Sequence, residues 1–376
     1  NMKRILVVED ESSIAFSLQL DLKSEGYEVE IEPDGEGALK RAKKEPYDLI
    51  LLDVMLPGMD GFEVCRRLKE DTRTRDIPVI FISALQSTDD KVRGFKAGGV
   101  DFITKPIQEE ALFQKEKGMD YIDINLGPAK KDGHELMPWV VQTVQEVVPD
   151  VPLALDTSNI DAIEAALKVY KETPQPPLIN SIMVRPERYE PMVPLAVEHN
   201  ADFIALMWGP EGLPRDENER AALCVELLYF ANEAGIPNEK IWVDGIVTPV
   251  NIQQPQLISL MTFQQMMPEI APGAKSTCGL SNISNGPPDH LRPILNQTYM
   301  VMLEKYGMYS VIADPLDDTL IDIAKGKRQD IVDLINGMLD GNEPDMGSLS
   351  EEMQNYAKTV NVILGKSLYS DSWLEL

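Results

Sequence analysis

The sequence predicts an α/β protein in two parts, a flavodoxin-like doubly wound domain at residues 1–112 and a TIM-type (β/α)8-like barrel at residues 113–376. Three observations carry that expectation. Short β-branched runs alternate with amphipathic helical stretches over the first third, the pattern of a parallel sheet buried on both faces. A second alternation, with strands roughly 25–35 residues apart, fills the remainder. The 376 residues also exceed a typical single domain of roughly 100–200.

In the first part the candidate strands are residues 5–8, 27–31, 49–52, 79–82 and 100–103. Function in doubly wound sheets gathers at the carboxyl ends of the strands. Those ends carry Glu9-Asp10, Asp53, Ser83-Ala84 and Lys105-Pro106. Three carboxylates converging on one edge repel unless a cation neutralises them, and hard oxygen ligands in that number suit Mg²⁺. A lysine and a hydroxyl on neighbouring strand ends complete a site able to hold a phosphoryl group. Taken singly, an aspartate at a strand end reads as a helix N-cap and Lys-Pro as a turn. Five such residues in order on four strand ends point to chemistry.

Val7-Val8-Glu9-Asp10-Glu11, Leu51-Leu52-Asp53-Val54-Met55-Leu56-Pro57-Gly58, Phe81-Ile82-Ser83-Ala84 and Asp101-Phe102-Ile103-Thr104-Lys105-Pro106 together resemble the receiver domain of two-component response regulators. That resemblance implies Asp53 as the phosphoacceptor. It implies Glu9, Asp10, Asp53 and the Met55 carbonyl as the Mg²⁺ ligands, Ser83 and Lys105 as contacts to the phosphoryl oxygens, Phe102 as an aromatic switch, and a sensor histidine kinase as partner.

Composition narrows the rest. Lys+Arg total 35 against 62 Asp+Glu, a net charge of −27. Residues 1–112 carry −7 of it and the remainder −20. Effector domains that bind DNA want a basic face, so no nucleic-acid partner is expected, and an anionic membrane surface is disfavoured for the same reason. No apolar run approaches the ~20 residues that span a bilayer. Asn1-Met2-Lys3-Arg4 shows no signal-peptide layout, and three scattered cysteines (Cys65, Cys224, Cys278) form no disulfide framework. The expected location is cytoplasmic.

In the second part the candidate strands are residues 121–126, 153–156, 178–181, 203–207, 241–244, 276–280 and 309–313. Polar residues at their carboxyl ends include Asp123, Asn125, Asp156, Asn180, Asp244, Ser281, Asn282 and Asp314. Three histidines in the whole chain give no zinc cluster, and no Gly-x-Ser-x-Gly elbow suggests acyl transfer. Carboxylates and carboxamides suit instead a heterocycle rich in N–H donors, since an ionised acid makes short charge-assisted bonds to such an edge. A pterin has one. Singly, Asp156-Thr157-Ser158-Asn159 could cap a helix and Asn282 could shape a turn.

Ile122-Asp123-Ile124-Asn125-Leu126-Gly127-Pro128, Leu155-Asp156-Thr157-Ser158-Asn159, Ile179-Asn180-Ser181, Val243-Asp244, Gly279-Leu280-Ser281-Asn282 and Tyr369-Ser370-Asp371-Ser372 resemble the methyltetrahydrofolate:corrinoid protein methyltransferases, pterin-binding barrels related to dihydropteroate synthase. The resemblance implies that Asp156, Asn180 and Asp244, with Asp123 and Asn125, hold the pterin of methyltetrahydrofolate, and that Asn282 stands near N5. It implies a methyltransferase that acts as a homodimer, with cobalamin carried by a separate corrinoid protein. Asp132-Gly133-His134 imitates the opening of a corrinoid motif, but Met137 occupies its glycine position. Residues 325–360 read as a helical insertion.

A closed barrel wants eight strands, and seven follow residue 113. The receiver's last strand and helix stand where the barrel's opening strand belongs, with residues 110–119 reading as one helix. Either residues 100–103 serve the barrel, or the barrel is open, or a second chain completes it, or the junction is artificial.

Overall fold

The computed structural model describes residues 3–10, 12–83, 96–99, 101–104, 107–125 and 133–375. Ala84, Lys105, Pro106, Leu126, Gly127, Pro128 and Asp132 lie outside the described residues, as do the side chains of Ser83 and Phe102. The chain divides into two compact units, Asn1–Phe113 and Gln114–Leu376.

The first unit runs β1 (Arg4–Val8), α1 (Ser12–Ser24), β2 (Glu28–Glu32), α2 (Gly35–Ala42), β3 (Leu49–Asp53), α3 (Gly61–Glu70), β4 (Val79–Ser83), β5 (Asp101–Thr104) and the start of α4 (Ile107–Glu116). Its strands form a parallel sheet in the order β2-β1-β3-β4-β5. Alternate residues of one strand feed two cores. Leu6 and Val8 pack with Ile50, Leu52, Phe81 and the inner faces of α2 and α3. Ile5 and Val7 pack with Val29, Leu51, Ile82 and with Leu18 and Leu22 of α1. Because side chains alternate across a strand, the four consecutive apolar residues Ile5–Val8 of β1 require cover on both faces, which is the doubly wound arrangement.

Strand β5 pairs with β4, Ile80 opposite Asp101 and Ile82 opposite Ile103, so residues 101–104 serve the first sheet. Helix α4 starts earlier and ends sooner than the sequence predicts. Gly118 at φ +79° terminates it, its N–H donating to the Lys115 carbonyl; only glycine adopts that left-handed conformation at little cost.

The second unit continues β6 (Ile122–Asn125), α5 (Gly133–Val147), β7 (Leu153–Asp156), α6 (Ile160–Val169), β8 (Leu178–Met183), α7 (Pro186–Glu198), β9 (Asp202–Leu206), α8 (Glu217–Glu233), β10 (Ile241–Asp244), α9 (Val250–Ile270), β11 (Lys275–Thr277), α10 (Arg292–Lys305), α11 (Asp318–Ala324), α12 (Gln329–Leu339) and α13 (Glu351–Ile363). Six parallel strands stand in sequence order, β6 to β11. The predicted strand at 309–313 is reduced to a short pairing beside β11, through Ser310 N–H to Ser276 and Ile312 N–H to Cys278. Strand β11 is also shorter than expected, because residues 280–284 turn into a 3₁₀ helix.

The sheet curls. Four strand spacings of ~4.8 Å would hold β6 and β10 roughly 19 Å apart in a flat sheet. Yet Tyr121, just before β6, meets Trp242 of β10 at 5.4 Å between ring centroids. Tyr309 also packs edge-on to Trp242, at 5.4 Å between ring centroids, and Ala154, Leu178, Ile204 and Ile312 join the same cluster. The result is a barrel-like wall; among the described residues no strand pairs with the outer edge of β6 and no closed barrel forms. Helices α12 and α13 give the 325–360 region the helical character the sequence predicts. No described helix is long and apolar enough to cross a membrane.

Candidate functional site

In the first unit, parallel register brings the ends of β1 and β3 side by side, Val8 opposite Leu52. Glu9, Asp10 and Asp53 therefore offer carboxylate oxygens within 4.8 Å of one another, Glu9 and Asp53 buried and Asp10 exposed. Asp53 caps no helix: α3 is capped by Asp60, whose side chain accepts from the Glu63 N–H at 2.8 Å. Asp53 Oδ1 instead accepts from the Met55 N–H at 3.0 Å. That bond fixes the carboxylate and the turn that carries Met55 together. Gly61 allows α3 to lie against this strand end, where a Cβ would meet the Asp53 carbonyl at 2.1 Å. Ser83 ends β4 beside β3, Asp53 pairing with Ile82; Lys105 lies outside the described residues. Three close carboxylates with all-oxygen donors, two of them buried, fit a small hard divalent cation.

In the second unit, one face of the curled sheet is layered. The lower layer is apolar, with Ala154, Leu178, Ile204 and Trp242. Two residues further along the same strands, on the same face, stand Asp156, Asn180, Leu206 and Asp244. Register then sets Asn125 opposite Asp156, Asp156 opposite Asn180 and Leu206 opposite Asp244. The amide of Asn125 donates to Asp156 Oδ2 at 2.7 Å, and that of Asn180 donates to Asp123 Oδ1 at 3.0 Å. The register slips between Ile179 and Ile182, a bulge of the kind found beside functional sites.

Burial and mutual charge separate the carboxyls. Burial, then the Asp156 charge, pushes Asp123 up to about 7, against the hydrogen bond from Asn180. Burial also raises Asp156, but bonds from Asn125 and Asp123 oppose it. Both carboxyls of the pair are thus raised by burial, and Asp123 carries the added effect of its neighbour's charge. Full burial pushes Asp244 up to about 6, while the Ile246 N–H at 2.8 Å and the charge of Arg220 pull it back.

Asp156 caps no helix either; Asn159 caps α6, accepting from the Ala162 N–H. Asn282 stands in the 3₁₀ turn Leu280–Ser284, beyond the end of β11, with its side chain exposed. Met137 is fully buried in α5 and His134 is exposed in that helix's first turn. Met300 and Met302 of α10 are buried in the core. All three cysteines are free and buried.

One residue near the site gave no signal in the sequence. Arg220, in the first turn of α8, is fully buried. Its guanidinium donates to the Gly245 carbonyl at 2.7 Å, to Ser259 Oγ at 2.9 Å and to Gln256 Oε1 at 2.7 Å. An arginine beside Glu219 and Asp216 reads as solvent-facing until the tertiary structure covers it.

Residues 5–117 match the family model of the response regulator receiver domain, and residues 88–311, more than half of the chain, match that of the pterin binding enzymes. The second match begins inside the first, although the structure gives residues 101–104 to the first sheet. Over 116 residues the chain is 47% identical to the response regulator PleD of Caulobacter vibrioides, covering 31% of this chain and 26% of that protein. It is 41% identical over 131 residues to the response regulator ArlR of Staphylococcus epidermidis, covering 33% and 58%. It thus spans only a quarter to three-fifths of the length of these relatives. Among solved structures, the receiver domain of a sensor histidine kinase from Pseudomonas aeruginosa, with a magnesium ion in its active-site cleft, is 31% identical over 31% of this chain and 94% of that one, at a TM-score of 0.27. The chain carries a response regulator receiver domain and belongs to the pterin binding enzymes.

Proposed function

We propose that the chain couples a phosphoacceptor receiver to a pterin-dependent methyltransferase. The observation that carries the second half is the row Asn125–Asp156–Asn180 with Asp123 and Asp244 on one face. It presents three carboxyl groups and two oriented carboxamides at the carboxyl ends of four strands. That mixture of acceptors and donors matches the N–H, NH₂ and carbonyl edge of a pterin. Asp156, Asn180 and Asp244 bind methyltetrahydrofolate, and Asp123 and Asn125 hold Asp156 and Asn180 in orientation.

In the reaction, the methyl group leaves N5 for the cobalt(I) of a cobalamin held by a separate corrinoid protein. The N–CH₃ bond breaks with its electron pair left on N5, which takes up a proton to give tetrahydrofolate. An amine is a poor leaving group unless that charge is relieved in the transition state, and Asn282 relieves it with a carboxamide bond that does not titrate. The exposed position of Asn282 beyond β11 suits contact with ligand and acceptor alike.

In the receiver, Asp53 attacks the phosphorus of a phosphohistidine on a sensor kinase, or of an acyl phosphate, and the donor departs with the bonding electrons. Glu9, Asp10 and Asp53, with the Met55 carbonyl, would hold Mg²⁺, which supplies charge neutralisation at the phosphoryl oxygens. Ser83 and Lys105 contact those oxygens.

Two experiments test the two halves. Incubation with Mg²⁺ and acetyl phosphate should modify the wild-type chain and leave D53N unmodified by mass spectrometry; equal modification of both would overturn the assignment. Calorimetry should show methyltetrahydrofolate binding that D156N weakens ten- to hundredfold, the loss of one hydrogen bond to a charged group at about 1.5–3 kcal/mol. Undetectable binding at millimolar ligand would end the methyltransferase reading. Folate binding without methyl transfer to a cobalt(I) corrinoid protein would favour the second reading, a binding module whose barrel no longer catalyses, which the edge of β6, unpaired among the described residues, favours.

A further inference from the structure

The turn that carries Asp244 is built under unusual constraint. Asp244 ends β10, Gly245 follows, and Ile246 adopts φ +70°. A β-branched residue rarely takes that left-handed conformation, and it persists only where the surroundings over-determine it. Here the conformation lets the Ile246 N–H donate to Asp244 Oδ1 at 2.8 Å. Among the described residues no donor is paired with the other oxygen. Gly245 leaves room for the side chains of α9, since a Cβ there would meet Leu260 Cδ1 at 2.4 Å and Phe263 Cδ1 at 3.0 Å and force them to shift. The Gly245 carbonyl accepts from Arg220 Nε at 2.7 Å.

The guanidinium is itself held. Ser259 and Gln256 of α9 accept its two terminal nitrogens, Ser259 Oγ donates on to Glu217 Oε2 at 2.9 Å, and Gln256 Nε2 donates to the Arg215 carbonyl at 2.9 Å. A planar fork with three fixed directions resists rotation in a way that a lysine ammonium cannot. Burying a full charge to hold one carbonyl is costly for a turn with no task.

We propose that Arg220 is a positioning residue for pterin binding: by clamping the Gly245 carbonyl it locks the 244–246 turn, so that the Ile246 amide takes one oxygen of Asp244 and the other is presented to the ligand. The proposal rests on the reading of Asp244 as a pterin contact. Around this carboxylate the other titratable groups are Cys278 after β11 and, flanking the guanidinium, Tyr299 of α10 with Asp216 and Glu217 at the start of α8. Cys278 and Tyr299 stay neutral through the ordinary pH range because burial raises both.

The test compares wild type, R220Q and R220K in the full chain by three measurements: hydrogen exchange of the Ile246 amide, NMR titration of the Asp244 carboxyl, and calorimetric affinity for methyltetrahydrofolate. R220Q should exchange Ile246 at least tenfold faster, titrate Asp244 at higher pH because a cation is gone, and bind folate at least tenfold more weakly. R220K should keep the Asp244 midpoint near that of wild type yet recover only part of the affinity. A folded R220Q with unchanged Ile246 exchange and Asp244 titration overturns the clamp. Should R220Q fail to fold, S259A and Q256A each release one partner of the guanidinium, and unchanged Ile246 exchange in both overturns it equally. If wild type binds no folate, the methyltransferase reading falls while exchange and titration still decide the clamp.

Discussion

Single carboxyl groups show how one chemical type is given different tasks by its surroundings. Asp53 is fixed by a backbone amide among other acids, whereas burial and the charge of Asp156 raise the Asp123 carboxyl to about 7. The second case has a consequence for stability. With its folded-state value raised to about 7 and an unfolded value near 4, Asp123 binds a proton more tightly in the folded chain. Its contribution is therefore complete below pH ~4 and is lost as pH rises toward 7, with a slope of up to about 1.4 kcal/mol per pH unit. D123N, which cannot titrate, should flatten that part of the pH dependence in denaturant unfolding. A slope equal to that of wild type would show that Asp123 is ionised throughout.

At the level of elements, both sites depend on where strands stop and what caps the helices that follow. Asp60 and Asn159 take the capping work, which releases Asp53 and Asp156 from it. The bland interpretation of each aspartate as a cap fails because a better-placed residue lies seven or three positions further on. Glycine at 61 is the element-scale counterpart. A methyl group there would strike backbone at the end of β3, not a flexible side chain. G61A should thus push α3 off the strand, cost about 1–3 kcal/mol as overpacking does, and lower Asp53 phosphorylation. Unchanged unfolding and unchanged modification in that variant would contradict the close approach of α3.

Across the second unit, the lower end of the curled sheet is sealed by Trp242. Its ring meets Tyr121 and Tyr309, Lys275 Nζ lies 4.7 Å from its centroid, and its indole N–H donates to Asp202 at 3.0 Å. Asp202 is in turn paired with Lys240 at 2.9 Å. These contacts join strands from opposite sides of the unit, so they do part of what pairing with an eighth strand would do. W242A should cost about 3–5 kcal/mol and lower the unfolding midpoint of the pterin-binding unit in calorimetry. A shift of less than a degree would mean that the sheet keeps its curvature without this contact.

Read from sequence alone, the two alternations, the acidic strand ends and the polar row at 123, 125, 156, 180 and 244 were all visible, because period, strand ends and residue type are local properties. Ownership of residues 101–104 was not, since their β-branched pattern suits either sheet and only pairing with β4 decides between them. The near-loss of the strand at 309–313 was also hidden, because its apolar residues pack whether or not a ladder forms. Arg220 was invisible for a related reason: its charge matches a solvated helix face, and only the packing of α8 against α9 and the β10 turn buries it. Chain-local chemistry named the groups that could act; long-range contacts determined which of them bond to one another, which face a common surface, and which stand behind it as support.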